Sequence, residues 1–283
     1  MDYKMKNTLK YNMHERDKNI LFFEEGHKYK ILTDPDSKYT SVTTWNHSHF
    51  QDFDADDIIN KMMKGKKWKE GHKYWGQSLE QIKQLWNTNK EEAAASGTNM
   101  HLQIECFMNN SEIMFPYTHK ELYDFYTEKV IEKPVEKEWE YFIEFIKETP
   151  EFKPYRTEWL IYHEELKLSG SIDMVYENSD GTLSIYDWKR SKEINRINRF
   201  NKYAITPCIS HLFDANFWHY SLQLNTYKAI LEAKYNKKVR DLYLVVLHPN
   251  NEEGTYDLIE LPNLKTEMED LFRERKILLE EIA

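Results

Sequence analysis

At 283 residues, 40% of them hydrophobic and 14% aromatic, the chain is long enough for one large domain or two modest ones with a real core, and its composition excludes a disordered protein. A formal net charge of −9 argues against a protein that coats polyanions generally, though not against one with a basic groove. Two cysteines, Cys106 and Cys208, are too few for a four-cysteine zinc site or iron–sulfur cluster.

No apolar run approaches the length of a membrane span, and the opening MDYKMKNTLKYN lacks the apolar stretch of a secretory signal. These features predict an intracellular protein of a reducing compartment, cytoplasm or nucleus, that is neither secreted nor membrane-bound. In chain order, residues 18–45 alternate apolar and polar, predicting two or three strands with turns at Gly26 and at DPDS; YTSVTTW (39–45) is the last of them. Residues 55–87 are lysine-rich and predicted helical with a break near Gly71, and a helix is expected from about 91 to 108. Further helical patterns cover 118–128 and 134–148. Three strands follow, TEWLIYHEE, SGSIDMVYE and TLSIYDWK, then a helix over 217–235, an apolar strand in RDLYLVVLHP, a short strand (255–261) and a charged helix (264–282). The order is that of an α/β core. Residues 1–90 are expected to be an N-terminal embellishment of strands and helices within the same domain, and 91–283 the core.

Within TLSIYDWK, Asp187 and Lys189 lie two apart and so share one strand face, with Tyr186 and Trp188 on the other. Alone, this is also the pattern of a surface ion pair. The turn signal in ENSDGT, centred on Asp180, sets residue 173 opposite 187, which brings two carboxylates to about 5 Å at their Cβ atoms. A second turn near Glu165–Leu166 sets Glu158 opposite Asp173, although HEELK contains no glycine. Leu160, Val175 and Ile185 are then same-face neighbours of low polarity. Three acids in such surroundings need a cation, and oxygen ligands suit Mg²⁺ or Mn²⁺. A lysine beside such an ion can orient or deprotonate water, or stabilise charge on a phosphate.

Asp173 followed by Asp187-Trp188-Lys189 resembles the signature of the PD-(D/E)XK nucleases. GTNMH (97–101) resembles the Gly-Thr-x-x-His helix of the RecB-type branch, and QLNTY (223–227) its Gln-x-x-x-Tyr motif. The order of these elements is that branch's own, and the match is closest to stand-alone exonucleases such as the mitochondrial genome maintenance exonuclease and its phage and large-virus relatives. YTSVTTW is similar to their Ser-Val-Thr segment.

The resemblance implies a restriction-endonuclease-like core, a mixed central sheet flanked by helices in the order αβββαβ, with N-terminal strand and helix additions. It implies His101, Asp173, Asp187 and the main-chain carbonyl of Trp188 as ligands of Mg²⁺ or Mn²⁺, and Lys189 as the catalytic lysine. Glu158 is implied as an active-site acid, either a ligand or a partner of Lys189. Gln223 and Tyr227 are implied to organise the site and touch nucleic acid, with Thr43, Thr98, Arg190 and Ser191 as further contacts. Gln223 and Tyr227 also fit residues that simply close the edge of the core. No GxxxxGK-S/T motif is present, so neither a nucleotide cofactor nor a helicase motor is expected.

The expected activity is hydrolysis of phosphodiester bonds, foremost by a DNA exonuclease acting on single strands or ends; RNA remains open as a substrate. The competing readings are an endonuclease with the same core and a non-catalytic nucleic-acid-binding module. The basic run 189–202 fits a solvated face or a backbone-tracking surface, and the lysine–aromatic mixture KGKKWKEGHKYW (64–75) fits a helix packed on a sheet or a single-strand-binding surface.

Overall fold

The structure is a computed structural model and describes residues 7–282. A short helix, α1 (Asn7–Tyr11), precedes a hairpin of β1 (Ile20–Phe23) and β2 (Lys28–Ile31). Its turn carries Gly26 and His27, both at positive φ. The predicted strand at YTSVTTW lasts only two residues, β3 (Thr40–Ser41), before the chain becomes α2 (Val42–His47). The reason is capping: Ser41 Oγ accepts the Thr44 N–H at 3.0 Å, which starts a helix despite the β-branched run.

After α3 (Ala55–Met63), residues 64–78 form no regular helix, a wider interruption than a break at Gly71. The reciprocal capping pair Ser78 and Gln81 then opens α4 (Leu79–Met108), which joins the end of the helical stretch expected up to 87 to the helix expected from about 91. A single helix therefore runs through positions 90 and 91. It is followed by α5 (His119–Lys129) and α6 (Lys137–Glu148), then by the antiparallel meander β4 (Lys153–His163), β5 (Leu168–Glu177) and β6 (Leu183–Lys189). The helix α7 (Asn216–Lys234) crosses over to β7 (Val239–Val246), which pairs parallel to β6. The edge strand β8 (Asp257–Glu260) and α8 (Lys265–Ile282) follow. No helix among the described residues is long and apolar enough to cross a membrane.

The six-stranded sheet is mixed and covered on both faces. On one side Val175, Ile185 and Leu244 pack with Val42 and Trp45 of α2, Leu224 and Ile230 of α7, and Leu271 of α8. On the other, Met174, Tyr186, Trp188 and Val245 pack with Ile104 of α4, Leu122 of α5, and Phe142 and Phe145 of α6. This alternation places Asp187 and Lys189 toward the α7 side and Trp188 toward α6. Leu160 departs from the expectation: it packs with Ile20, Ile31 and Tyr162 in a small cluster under the hairpin, and does not join Val175 and Ile185.

The β5 strand has two edges, and β4 pairs along the whole of one. On the other, β6 pairs with Met174–Glu177, while β3 pairs parallel with Leu168 and Ser169. Residues 170–173 on that edge lie where β6 leaves β5, and this fork holds the candidate site.

Candidate active site

The β5–β6 ladder ends at Met174 opposite Tyr186, and continuing its register sets Asp173 opposite Asp187. The strands part there, so the Trp188 N–H meets no β5 carbonyl and donates instead to Asp173 Oδ2 at 3.1 Å. The β4–β5 register, Thr157 with Met174 and Trp159 with Ile172, likewise sets Glu158 across from Asp173. The glycine-free turn in HEELK closes because Lys167 takes a left-handed conformation, φ 48°. Glu158 is also left-handed, at φ 42°, a conformation that costs a non-glycine residue about 1 kcal/mol or more. Ser171 Oγ donates to Glu158 Oε2 at 2.8 Å and holds the carboxylate.

From α4, His101 reaches across the sheet end. Its Nε2–H donates to the Trp188 carbonyl at 3.0 Å, turning Nδ1 toward Asp173 Oδ2 at 3.6 Å and Glu158 Oε1 at 3.8 Å. One ligand atom each from His101, Glu158 and Asp173 lies within 4.8 Å of the others. Asp187 stands beside this group, and its Oδ2 lies 2.6 Å from Lys189 Nζ. That contact is a charge pair without hydrogen-bond alignment, so Asp187 Oδ2 is a buried oxygen with no hydrogen-bond partner. The ammonium of Lys189 also sits 4.8 Å from the centre of the Tyr220 ring.

The protonation pattern follows from burial and crowding of charge. Burial, with Asp173 adding to it, raises the Asp187 carboxyl to about 6 although Lys189 opposes the change. Burial and Glu158 raise Asp173 against the pull of His101 and Lys189. Burial disfavours the His101 imidazolium, yet Asp173 and Glu158 outweigh it and raise the group to about 9. Lys189 is buried too, but Asp187 and Asp173 raise it and keep it an ammonium.

This donor set fits a hard divalent cation. It is oxygen-rich with one imidazole, and its excess negative charge is offset by a proton on His101. A divalent cation can take over the role of that proton.

On α7, Gln223 Nε2 donates to the Tyr227 hydroxyl at 3.2 Å, as i, i+4 placement on a helix allows. The Tyr227 ring lies against the backbone of Gly170: a Cβ there would meet Cε1 at 2.8 Å. The fields of Asp173 and Asp187 reach this phenol and, after burial itself, help push its pKa well up.

The structure thus brings His101, Glu158, Asp173, Asp187, Lys189, Gln223 and Tyr227 to one fork, together with the Trp188 carbonyl, which His101 engages. Of the four remaining expected contacts, Arg190 donates its Nε–H to Glu138 Oε1 at 2.6 Å. Ser191 donates to the Glu193 carbonyl at 3.0 Å. Thr98 is exposed and donates to the Ala94 carbonyl at 3.0 Å, and Thr43 is exposed in the first turn of α2.

Three residues of the site escape sequence reasoning. Tyr220 lies one helical turn before Gln223, so spacing could have revealed it. Gly170 betrays itself as a glycine inside a strand, a sign of close approach. Tyr29 of β2 carries no local signal; Glu158 and Asp173 add to the effect of burial and push its phenol up to about 12.

No curated protein matches the chain. The family model of the PD-(D/E)XK nuclease superfamily matches residues 72–283, from just before α4 to the end. Members of that superfamily are generally nucleases that act on nucleic acids with divalent metals such as Mg²⁺ or Mn²⁺. The match spans about three quarters of the sequence and includes the whole fork, and the mixed sheet flanked by helices is the restriction-endonuclease-like architecture of that group. The chain belongs to the PD-(D/E)XK nuclease superfamily.

Proposed function

We propose that the chain hydrolyses phosphodiester bonds in DNA as an exonuclease acting on single strands or ends, with the RecB-type arrangement of its site residues. The observation that carries the catalytic part is the convergence of His101, Glu158 and Asp173 within 4.8 Å, beside a buried Asp187–Lys189 pair. His101, Asp173 and Asp187 would hold Mg²⁺ or Mn²⁺, with Glu158 as a fourth donor or the anchor of a water. When bound, such an ion supplies Lewis acidity toward water and charge compensation at a phosphate.

The chain's own residues do the rest. Lys189 orients the attacking water and, as an ammonium, stabilises the charge gathering on the phosphoryl oxygens. Asp187 keeps Lys189 charged and aimed. As the new bond from water oxygen to phosphorus forms, the water gives up a proton to bulk solvent, the bond to the leaving oxygen breaks, and that oxygen takes up a proton from solvent. Gln223 and Tyr227 fix the α7 wall against which the strand is positioned. The preference for DNA, for single strands and for ends rests on the order of motifs shared with RecB-type exonucleases. A chain with only two cysteines suits the reducing intracellular compartment that we assign.

The test is cleavage of end-labelled linear single-stranded DNA beside a closed circular control, in Mg²⁺, Mn²⁺ and EDTA, with Lys189→Ala in parallel. Metal-dependent loss of the linear substrate alone, reduced at least a hundredfold in the variant, is the expected result. Cutting of the circle would make the protein an endonuclease. Cleavage of RNA alone would move the substrate class, and failure on every substrate would leave a binding module.

A further inference from the structure

The segment between α3 and α4 is absorbed by none of the chemistry above, yet it concentrates two features. From Lys64 to Lys73 it carries five lysines against one glutamate, in a chain whose net charge is −9. Lys64, Lys66, Lys67, Lys69 and Lys73 are exposed, and none of them forms an ion pair among the described residues. Interleaved with them is a row of rings. Trp75 lies 5.8 Å from Trp68, Trp68 lies 5.0 Å from His72, and His72 lies 6.0 Å from Tyr74. Tyr74 meets Trp86 of α4 at 6.2 Å, and Trp86 meets Phe53 at 6.0 Å. The Trp86 Nε1–H donates to the Tyr74 hydroxyl at 3.1 Å, so the row is built into the fold and is not a floppy loop. Both ends are open: Phe53 is 71% exposed and Trp75 47%.

The row opens onto a cavity that borders α7, the helix that carries Gln223 and Tyr227. Phe53 lines this cavity of about 360 Å³, whose far wall includes His219 and Lys202. His219 lies on α7 four residues before Gln223, about 6 Å along the helix axis. Of the four carboxylates lining that cavity, Asp52, Asp54, Asp57 and Asp214, two are paired with cationic or imidazole groups, Asp214 with His219 at 2.9 Å and Asp57 with Lys61 at 2.7 Å, and Asp54 accepts the Asp57 N–H at 2.9 Å.

We propose that residues 64–75, with Trp86 and Phe53, form a stacking rail for single-stranded nucleic acid that delivers the strand along the α7 wall to Asp173 and Lys189. Bases stack on the open faces of Phe53 and Trp75, and the lysines follow the phosphates, the combination by which single strands are held without sequence preference. A duplex hides its base faces and cannot use such a row. The proposal rests on the nuclease reading for its direction of travel, but not for binding itself.

The experiment therefore separates the two. Binding of a fluorescent 20-nucleotide oligothymidylate is measured by anisotropy in EDTA for the full chain, Phe53→Ala, Trp75→Ala and the triple variant Lys66→Ala/Lys67→Ala/Lys69→Ala. Hydrolysis of thymidine 5′-(p-nitrophenyl phosphate), too small to reach the rail, is measured in Mn²⁺ for the same proteins. Each ring variant is expected to weaken binding about fivefold or more, and the triple variant to lower the slope of log K against log[salt] by about 2. Hydrolysis of the small ester stays within twofold of the unaltered protein. Unchanged oligothymidylate affinity in both ring variants, with thermal melts confirming that they fold, overturns the rail. Equal binding of a blunt duplex overturns it as a single-strand device. Absence of hydrolysis of both the small ester and the oligothymidylate in Mn²⁺ by the unaltered protein overturns the nuclease reading, while the rail stands or falls on anisotropy alone.

Discussion

Gly170→Ala isolates the contact that seats α7 on the site. The backbone at Gly170 is not left-handed, so alanine is conformationally allowed, and in an open environment the change would stabilise by about 0.4–1 kcal/mol through the unfolded chain. Here the new methyl would lie 2.8 Å from Tyr227 Cε1 and 3.3 Å from its hydroxyl. Ordinary contact begins near 3.4 Å, so the ring must retreat by about 0.6 Å. Tyr227 is 3% exposed and packed in the core between α7 and the sheet, which leaves it little room. Overpacking of this kind costs about 1–3 kcal/mol, so the net loss is expected at about 1–2 kcal/mol. For a chain of this length that corresponds to a fall in Tm of about 2–4 °C. Displacing the phenol also breaks its hydrogen bond from Gln223, so activity on single-stranded DNA should drop together with stability. Urea denaturation and a thermal melt measure the first, and initial cleavage rates the second. In a Tyr227→Leu background the penalty of the alanine should largely vanish. A Tm equal to or above that of the unaltered protein, or a penalty that survives in the leucine background, would refute the packing argument.

Other consequences can be measured directly. Asp17→Ala strands the Arg156 guanidinium, which lies 2.6 Å from Asp17 and is almost wholly buried, and also takes the acceptor of Trp159 Nε1–H. Removing one partner of such a pair costs about 3–5 kcal/mol, visible as a lower urea midpoint, whereas Asp17→Ala combined with Arg156→Met should recover part of the loss. His119 is fully buried between Thr149 and Tyr176, and burial lowers it to about 3. It is neutral when folded and takes a proton only when unfolded below its ordinary value of 6.5. Its contribution is therefore complete above pH 6.5 and declines between pH 6.5 and about 3, by about 1.4 kcal/mol per pH unit. His49 and His163, both lowered to about 4 chiefly by burial, act in the same direction. Urea midpoints that do not fall between pH 7 and 5.5 would contradict this. Gly97→Ala in α4 places a methyl where nothing lies within 4 Å, so the helix should gain up to about 1 kcal/mol, read as a rise in Tm; a fall would show that the open face is not open.

The row of three acids and a lysine was legible in the sequence because strand periodicity and a turn at Asp180 are local rules. Two residues apart means one face, and a tight turn sets the register, so Asp187, Lys189, Asp173 and Glu158 could be aligned on paper. The register holds although Glu158 sits in a left-handed kink and the β5–β6 ladder ends one residue short of Asp173 and Asp187. Gln223 and Tyr227 were likewise visible, as neighbours one turn apart on a helix. Local rules misjudged YTSVTTW, where one capping hydroxyl outweighs the preference of β-branched residues for strand. They also divided α4 near positions 88–90, where the polar run NTNKEE carries no apolar stripe, although Leu79, Ile82 and Trp86 mark one face of its first turns.

Distant encounters were beyond any local rule. That His101 spends one nitrogen on the Trp188 carbonyl, that Arg190 pairs with Glu138, and that Tyr29 and Gly170 belong to the site all depend on how layers stack. Sequence alone thus determined which residues share a face along each element, because backbone geometry repeats every two or 3.6 residues. Only the tertiary structure decided which faces meet and which charges neutralise one another, because those outcomes depend on burial and on partners far away in the chain.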